Sequence, residues 1–177
     1  MTDLQQISGE SEPRRICIHD EAGFAGMRAA GLLAAQTLDY ITPFVVPGVT
    51  TEEIDRLCHE YITEHGAIAA PLNYRGFPKS ICTSVNHVVC HGIPGEKRLT
   101  NGDTLNIDVT VILDGWHGDT SRMFTVGNKV KRLAERLIEV TYQSMWRGIE
   151  VVRPGATVGD IGHAIQTYVE AERFSVV

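Results

Sequence analysis

A run of alternating apolar and polar residues that begins at Leu105 strongly narrows the folds open to this chain. Every second residue as far as Leu113 is apolar, which is the pattern of a strand with one buried face. Asp114-Gly115 follows, and this dipeptide favours a two-residue type I′ turn, in which both central residues need φ > 0. A hairpin closed by that turn pairs Leu113 with Trp116. The sequence therefore predicts an antiparallel β-hairpin.

Two aspartates lie on the polar face of this predicted hairpin. The register pairs Thr110 with Asp119 and Asp108 with Ser121, so the aspartates become diagonal neighbours with Cβ atoms roughly 7 Å apart. Carboxylates at that separation repel each other by about 2 kcal/mol at an effective dielectric constant near 20, unless a proton or a cation lies between them. A divalent cation explains the pair best, and a fully solvated polar face is the alternative.

Helical periodicity and a repeat describe the rest of the chain. The pattern predicts a helix from about Asp20 to Phe44 and a second helix after Pro47-Gly48, with Thr50 or Thr51 as its N-cap. Residues 154–173 repeat residues 47–66 at Pro-Gly, at the following Thr, and at one Ile and one Tyr. Such a repeat predicts two related units around a shared core. Two further elements are predicted: a strand within SICTSVNHVV (Ser80 to Val89) and a helix from Lys131 to Val152.

Composition excludes several classes of partner. The 177 residues carry a net charge of −6, and Lys and Arg form no cluster, so we expect neither nucleic acid nor a membrane as partner. The four cysteines form no C-x-x-C pair and the N-terminus lacks an apolar signal core, which indicates a reducing cytoplasm. Residues 1–15 are polar and predict a flexible arm.

Four stretches together resemble the type I methionine aminopeptidases of bacteria. They are CHGIP (Cys90 to Pro94), NIDVT (Asn106 to Thr110), HGDTSRMF (His117 to Phe124) and the preceding GFPKSICTSVN. The resemblance implies an α+β pita-bread fold, an antiparallel sheet flanked by helices from two related halves, over residues 16–177. The strands of the second half have no counterpart before the chain ends, so we expect this domain to be incomplete at its C-terminus.

The resemblance also implies a site with two divalent metal ions (Co, Mn, Fe or Zn) that share a water molecule able to attack a peptide carbonyl. Asp108 and Asp119 match two metal ligands of the family, and His91 matches its substrate-binding catalytic histidine. A structural histidine is the alternative for His91. One His and two Glu ligands of the family have no counterpart, so we expect the 177-residue chain alone to be inactive.

Three further residues match the family's pocket for the methionine side chain: Tyr74, Phe77 and Cys82. An aromatic and sulfur-lined pocket suits a polarisable thioether, and ordinary core positions are the alternative. Pro71 and Arg75 stand where other members carry different residues, so they receive no role.

The expected function is therefore removal of the N-terminal methionine from nascent proteins, with peptide N-termini as partners and proximity to the ribosome left open. Two alternatives remain. A non-catalytic pita-bread protein, or an inactive fragment, would bind partners through the same cleft. A two-metal phosphate-ester hydrolase would also use paired aspartates, but would need a basic cluster near them.

Overall fold

The fold is taken from a computed structural model that describes residues 16–177, so the arm predicted for residues 1–15 lies outside the described residues. Along the described residues two helices come first, four strands follow and two further helices come last, with short 3-10 turns at Thr42–Phe44 and Tyr74–Gly76. The helices are α1 (Glu21–Ile41), α2 (Thr51–Glu64), α3 (Arg132–Glu150) and α4 (Val158–Ala171). The strands are β1 (Ile68–Ala69), β2 (Cys82–Val85), β3 (Thr104–Leu113) and β4 (Trp116–Thr125).

Strand β3 is the centre of an antiparallel sheet. It pairs with β4 along its whole length, and Leu113 lies opposite Trp116, as predicted. The turn residues Asp114 and Gly115 have φ values of 50° and 83°, which fits the type I′ turn. Strands β1 and β2 pair in succession with the opposite edge of β3, so residues 70–81 leave the sheet between them.

Helices α1 and α2 cover one face of the sheet and form the core with it. The inward residues of β3, from Leu105 to Val111, are fully buried, which confirms the predicted alternation. Helix α1 approaches β4 so closely that a Cβ atom built on Gly118 would lie 2.1 Å from the carbonyl oxygen of Ala30. The other face of the sheet carries the polar residues of the hairpin.

The two copies of the repeat share their local geometry. Gly48 and Gly155 both have positive φ, at 97° and 88°. Thr50 and Thr157 then cap α2 and α4, and each side chain accepts a hydrogen bond from the backbone N–H three residues later. The predicted repeat is therefore real in three dimensions, and Thr50 rather than Thr51 is the first N-cap.

The second strand is shorter than the sequence predicted. It was expected within Ser80 to Val89 and ends at Val85, because Asn86 has a φ of 54° and turns the chain away. Helices α3 and α4 pack chiefly on each other, and Gly148 allows Ile165 to approach α3 closely.

No helix within residues 16–177 combines the length and apolarity that crossing a bilayer requires.

Candidate active site

A cavity of about 830 Å³ opens on the polar face of the sheet, and this volume is within the size range of small-molecule binding sites. The loop of residues 70–81 forms one wall and the strands β3 and β4 form its floor. The cavity brings together all six site residues that the sequence suggested: Tyr74, Phe77, Cys82, His91, Asp108 and Asp119.

The two aspartates occupy the predicted register. Asp108 pairs with Ser121 and Asp119 with Thr110, and both carboxylates line the cavity. Asp108 is half-buried, and this burial raises its pKa, with a further increase from the charge of Asp119 and an opposing effect of His91. The ionised form of Asp108 is therefore unfavourable here without a compensating charge.

The chemistry of this pair fits a divalent cation in part. Carboxylate oxygens are good ligands for hard and intermediate divalent ions, and a bound cation would offset the mutual repulsion of Asp108 and Asp119. The described residues contain no group of three or more His, Cys, Asp and Glu side chains arranged to hold a metal ion. The two aspartates thus provide a portion of a coordination sphere.

The wall beside the aspartates is apolar and aromatic. Tyr74 is 63% exposed, so it is not a core residue, whereas Phe77 is half-buried and Cys82 is buried. Cys82 lies directly opposite Asp108 in the sheet. Burial, and next the charge of Asp108, raises the pKa of the Cys82 thiol to about 11, so the group is a neutral thiol at pH 7. Cys82 therefore contributes a polarisable surface and no nucleophile.

His91 reaches the cavity because its loop runs along the outer edge of β2. The Thr83 N–H donates to the Gly92 carbonyl oxygen at 2.8 Å, and the Gly92 N–H donates to Ser84 Oγ at 3.1 Å. A Cβ atom on Gly92 would lie 2.1 Å from the Thr83 oxygen, so only glycine permits this approach. His91 itself has a left-handed backbone with a φ of 53°. Gly92 and Ser84 thus fix the backbone from which the His91 side chain projects.

Comparison with known proteins identifies the family of this site. A model of Metallopeptidase family M24 matches residues 25–177. The chain belongs to this family. Membership implies divalent metal cofactors, and it removes support from the phosphate-ester alternative.

Similar proteins agree with this M24 assignment. The methionine aminopeptidase of Rickettsia prowazekii is 66% identical over 162 residues, which cover 92% of this chain and 62% of that protein. Methionine aminopeptidase A of Synechocystis sp. is 55% identical over 152 residues, covering 85% of this chain and 60% of that protein. The chain therefore spans about three-fifths of the length of these curated relatives.

Solved structures confirm the pita-bread fold expected from the sequence. The crystal structure of the methionine aminopeptidase from Rickettsia prowazekii superposes with a TM-score of 0.90 at 66% identity, covering 92% of this chain and 65% of that one. The methionine aminopeptidase from Thermotoga maritima superposes with a TM-score of 0.88 at 30% identity, covering 92% and 66%.

Sequence reasoning missed several lining residues of the M24 chain. Thr110 and Ile112 share the face of Asp108, and the alternation along β3 was the signal that could have found them. His117 also lines the cavity, in agreement with its place two residues before Asp119 on the same strand. Pro71 and Arg75, which received no role, both border the cavity as well.

Proposed function

We propose that this M24 protein removes the N-terminal methionine from nascent proteins by metal-dependent hydrolysis of the first peptide bond. One observation carries the proposal: a single cavity joins a carboxylate pair on a sheet to an aromatic and thiol-lined wall. The names of the similar proteins support the same substrate class. The substrate is then a peptide N-terminus that would enter between the loop and the hairpin.

In this proposal Asp108 and Asp119 contribute ligands for two divalent ions, for which Mn, Co, Fe and Zn are all chemically suitable. When bound, such ions supply Lewis acidity, which polarises a peptide carbonyl and makes water a stronger nucleophile. The raised pKa of Asp108 supports this assignment, because the carboxylate gains most from a nearby cation where solvation is weakest.

His91 is proposed to hold the substrate backbone through a hydrogen bond. Its ring borders the cavity on the same side as Cys82 and close enough to Asp108 to influence that carboxylate. An imidazole at this place would orient the scissile bond and stabilise charge that develops during the reaction. The left-handed backbone of His91 supports this positioning role, because a residue other than glycine keeps such a conformation only where surrounding contacts enforce it.

Tyr74, Phe77 and Cys82 are proposed to hold the methionine side chain. Phe77 and Cys82 provide the less exposed part of the wall, and Tyr74 stands at its open edge. A thioether gains favourable contacts with aromatic rings and sulfur, whereas a charged first residue would lose its hydration without gaining a partner. The pocket should therefore discriminate strongly in favour of methionine.

We further propose that residues 16–177 form one domain that works in the cytoplasm on chains emerging from ribosomes. The continuous core of α1, α2 and the sheet supports a common unit up to Val126, and the single family match over residues 25–177 supports including α3 and α4 in it. All four cysteines are free thiols, which suits a reducing compartment and supports the second.

A second candidate is a protein that binds peptide N-termini without cleaving them. The observation in its favour is that Asp108 and Asp119 stand without a third metal-binding side chain among the described residues. Weak metal binding would then leave the pocket able to hold methionine and unable to hydrolyse the bond.

The test measures binding and hydrolysis side by side. The 177-residue chain is titrated with Mn²⁺ by calorimetry and then incubated with Met-Ala-Ser, Lys-Ala-Ser and Asp-Ala-Ser peptides. We expect Met-Ala-Ser to bind at least tenfold more tightly than the charged analogues, and Asp108→Asn to weaken both metal and peptide binding. Asp114→Asn is the matched control, because Asp114 lies in the turn of the same hairpin outside the cavity.

The outcomes separate the candidates. Release of methionine by the metal-loaded chain supports the peptidase. Tight binding of Met-Ala-Ser without release agrees with the inactivity expected for the 177-residue chain alone, and it counts against catalysis by this chain while leaving the substrate class standing. Equal affinity for methionine, lysine and aspartate at the first position would contradict both, and would show that the pocket lies elsewhere.

A further inference from the structure

Arg75 stands at the mouth of the cavity, on the loop that forms its wall. Its side chain is exposed and borders the same space as Tyr74 and Phe77. The guanidinium carbon lies 5.4 Å from the centroid of the Tyr74 ring, within the range of a cation–π contact. The cation is thus held beside the aromatic edge of the pocket.

The backbone around Arg75 is tightly constrained. Asn73 and Arg75 have φ values of 67° and 50°, and Gly76 follows with a φ of 84°. The Asn73 N–H donates to the Phe77 carbonyl oxygen at 2.8 Å, and the Phe77 N–H donates to the Tyr74 carbonyl oxygen at 2.9 Å. Arginine has no intrinsic preference for a positive φ, so these hydrogen bonds impose the conformation. The loop therefore fixes the backbone position of Arg75, from which its side chain extends.

Arg75 also lacks a compensating anion. Within residues 16–177 the ion pairs shorter than 4 Å involve other Arg and Lys residues, and none includes Arg75. The acidic groups of the same cavity, Asp108 and Asp119, lie on the sheet at its floor. The cavity consequently has a negative floor and one positive charge at its mouth.

We propose that Arg75 recognises a carboxylate on the peptide substrate downstream of its first residue, and so makes this protein prefer acidic over basic residues near the N-terminus. The inference rests on the proposed function, in which the first residue occupies the pocket of Tyr74, Phe77 and Cys82. The remaining peptide must then leave through the mouth, where it passes the guanidinium. An arginine at such a place pairs with carboxylates through a planar fork of N–H donors.

Two sources could supply this carboxylate: an acidic side chain, or the terminal carboxylate of a very short peptide. The first series of ligands is therefore amidated at its C-terminus and reads Met-Ala-Glu-Ser, Met-Ala-Gln-Ser and Met-Ala-Lys-Ser. A second pair, Met-Ala with a free or an amidated C-terminus, isolates the terminal carboxylate. Affinities are measured with Mn²⁺ present by NMR titration of the ¹⁵N-labelled 177-residue chain, and hydrolysis rates are recorded where cleavage occurs.

We expect the Glu peptide to bind about tenfold more tightly than the Lys peptide at low salt. The reason is that the Arg75 guanidinium attracts the Glu carboxylate and repels the Lys ammonium. The ratio of the Glu-peptide affinity to the Lys-peptide affinity should fall towards one in Arg75→Gln and persist in Arg75→Lys. It should also shrink as the ionic strength rises above about 0.1 M, where the Debye length falls below roughly 10 Å. Arg28→Gln is the control for loss of one positive charge, since Arg28 is exposed on α1 and does not border the cavity.

Each result decides the inference. A Glu-to-Lys ratio that is unchanged in Arg75→Gln, with Met peptides still bound, overturns the role of Arg75 and leaves the proposed function standing. A ratio that falls equally in Arg28→Gln shows a general field effect and overturns it too. Failure of every Met peptide to bind overturns the proposed function and this inference together. A preference confined to free Met-Ala assigns Arg75 to the terminal carboxylate.

Discussion

Substitution of Gly92 by alanine offers the sharpest test of how the fold positions His91. The added Cβ would lie 2.1 Å from the Thr83 carbonyl oxygen and 2.8 Å from its carbon. Real Cβ atoms do not approach this closely, and the obstacle is backbone, so it cannot rotate away. The loop must move outward by about 1 Å to restore an ordinary carbon–oxygen contact of roughly 3.2 Å.

That displacement breaks two hydrogen bonds at once. The Thr83 N–H is buried and loses the Gly92 oxygen, while the Gly92 N–H loses Ser84 Oγ. A buried donor left without a partner costs about 1–3 kcal/mol, and the second bond contributes about 1 kcal/mol. We therefore expect Gly92→Ala to lower the free energy of unfolding by about 2–4 kcal/mol. For a chain of this size, the corresponding fall in Tm is about 4–16 °C.

The effect on the site follows from the same movement. A shift of about 1 Å in a group that orients a substrate can cost about 10²-fold in rate. Metal affinity should change less than twofold, because Asp108 and Asp119 lie on the hairpin and keep their register. Ser84→Ala removes only one acceptor, so its effect on stability should be about 1 kcal/mol.

Three measurements check this prediction: thermal unfolding, calorimetric titration with Mn²⁺, and the ¹H–¹³C NMR signal of the His91 ring. The control is Gly95→Ala, because a Cβ on Gly95 meets no atom within 4 Å and the residue lies on the same loop. If Gly92→Ala unfolds within 1 °C of Gly95→Ala and leaves the His91 signal in place, the steric reasoning is wrong. Loss of metal binding in Gly92→Ala would instead mean that His91 is a ligand.

Two further predictions concern stability. Asp55 accepts the N–H groups of Ser80 and Ile81, and burial raises its pKa, so its ionisation destabilises the fold as pH rises above the ordinary value of 3.8. In urea unfolding at pH 7, Asp55→Asn should therefore be at least as stable as the parent, because the amide oxygen can still accept both N–H groups. Asp55→Ala should lower the free energy of unfolding by about 2–4 kcal/mol, because both donors lose their acceptor. Similar losses for both variants would contradict this account. Gly118→Ala should lower the free energy of unfolding by about 3 kcal/mol, because the added Cβ forces α1 away from β4. Gly31→Ala is the control, since Gly31 has open space around it, and it should raise the free energy of unfolding by up to about 1 kcal/mol. Equal stability of the two variants would refute the close-packing argument.

The hairpin could be derived from the sequence because its determinants are local. A two-residue turn at Asp114-Gly115 sets the pairing of Leu113 with Trp116, and every later pair follows by counting. The N-cap at Thr50 is local in the same sense, since its hydroxyl accepts from the N–H of Glu53. Elements of this kind depend on a few adjacent residues, and the structure has them where the sequence predicted them.

The walls of the cavity depend on contacts that are distant in sequence. His91 reaches the cavity only because Gly92 hydrogen-bonds with Thr83 and Ser84 along the edge of β2. Nothing in the local pattern of CHGIP states which strand it will border, so its place could be inferred from family resemblance alone. Arg75 illustrates the same limit, because its position at the mouth follows from a loop whose ends are held by β1 and β2.

The core face of the hairpin ultimately protects the geometry of the polar face. Because side chains alternate, a slip of one residue between β3 and β4 would turn Asp119 away from Asp108 and into the core. Gly118 opposes such a slip, since only a residue without Cβ can lie beneath the Ala30 carbonyl of α1. A register that packs the apolar residues of β3 is thus the one register that keeps both carboxylates at the cavity. The repulsion between the aspartates is tolerated because the burial of that apolar face, at about 25 cal/mol per Å² of apolar surface, stabilises the hairpin by more than the pair destabilises it.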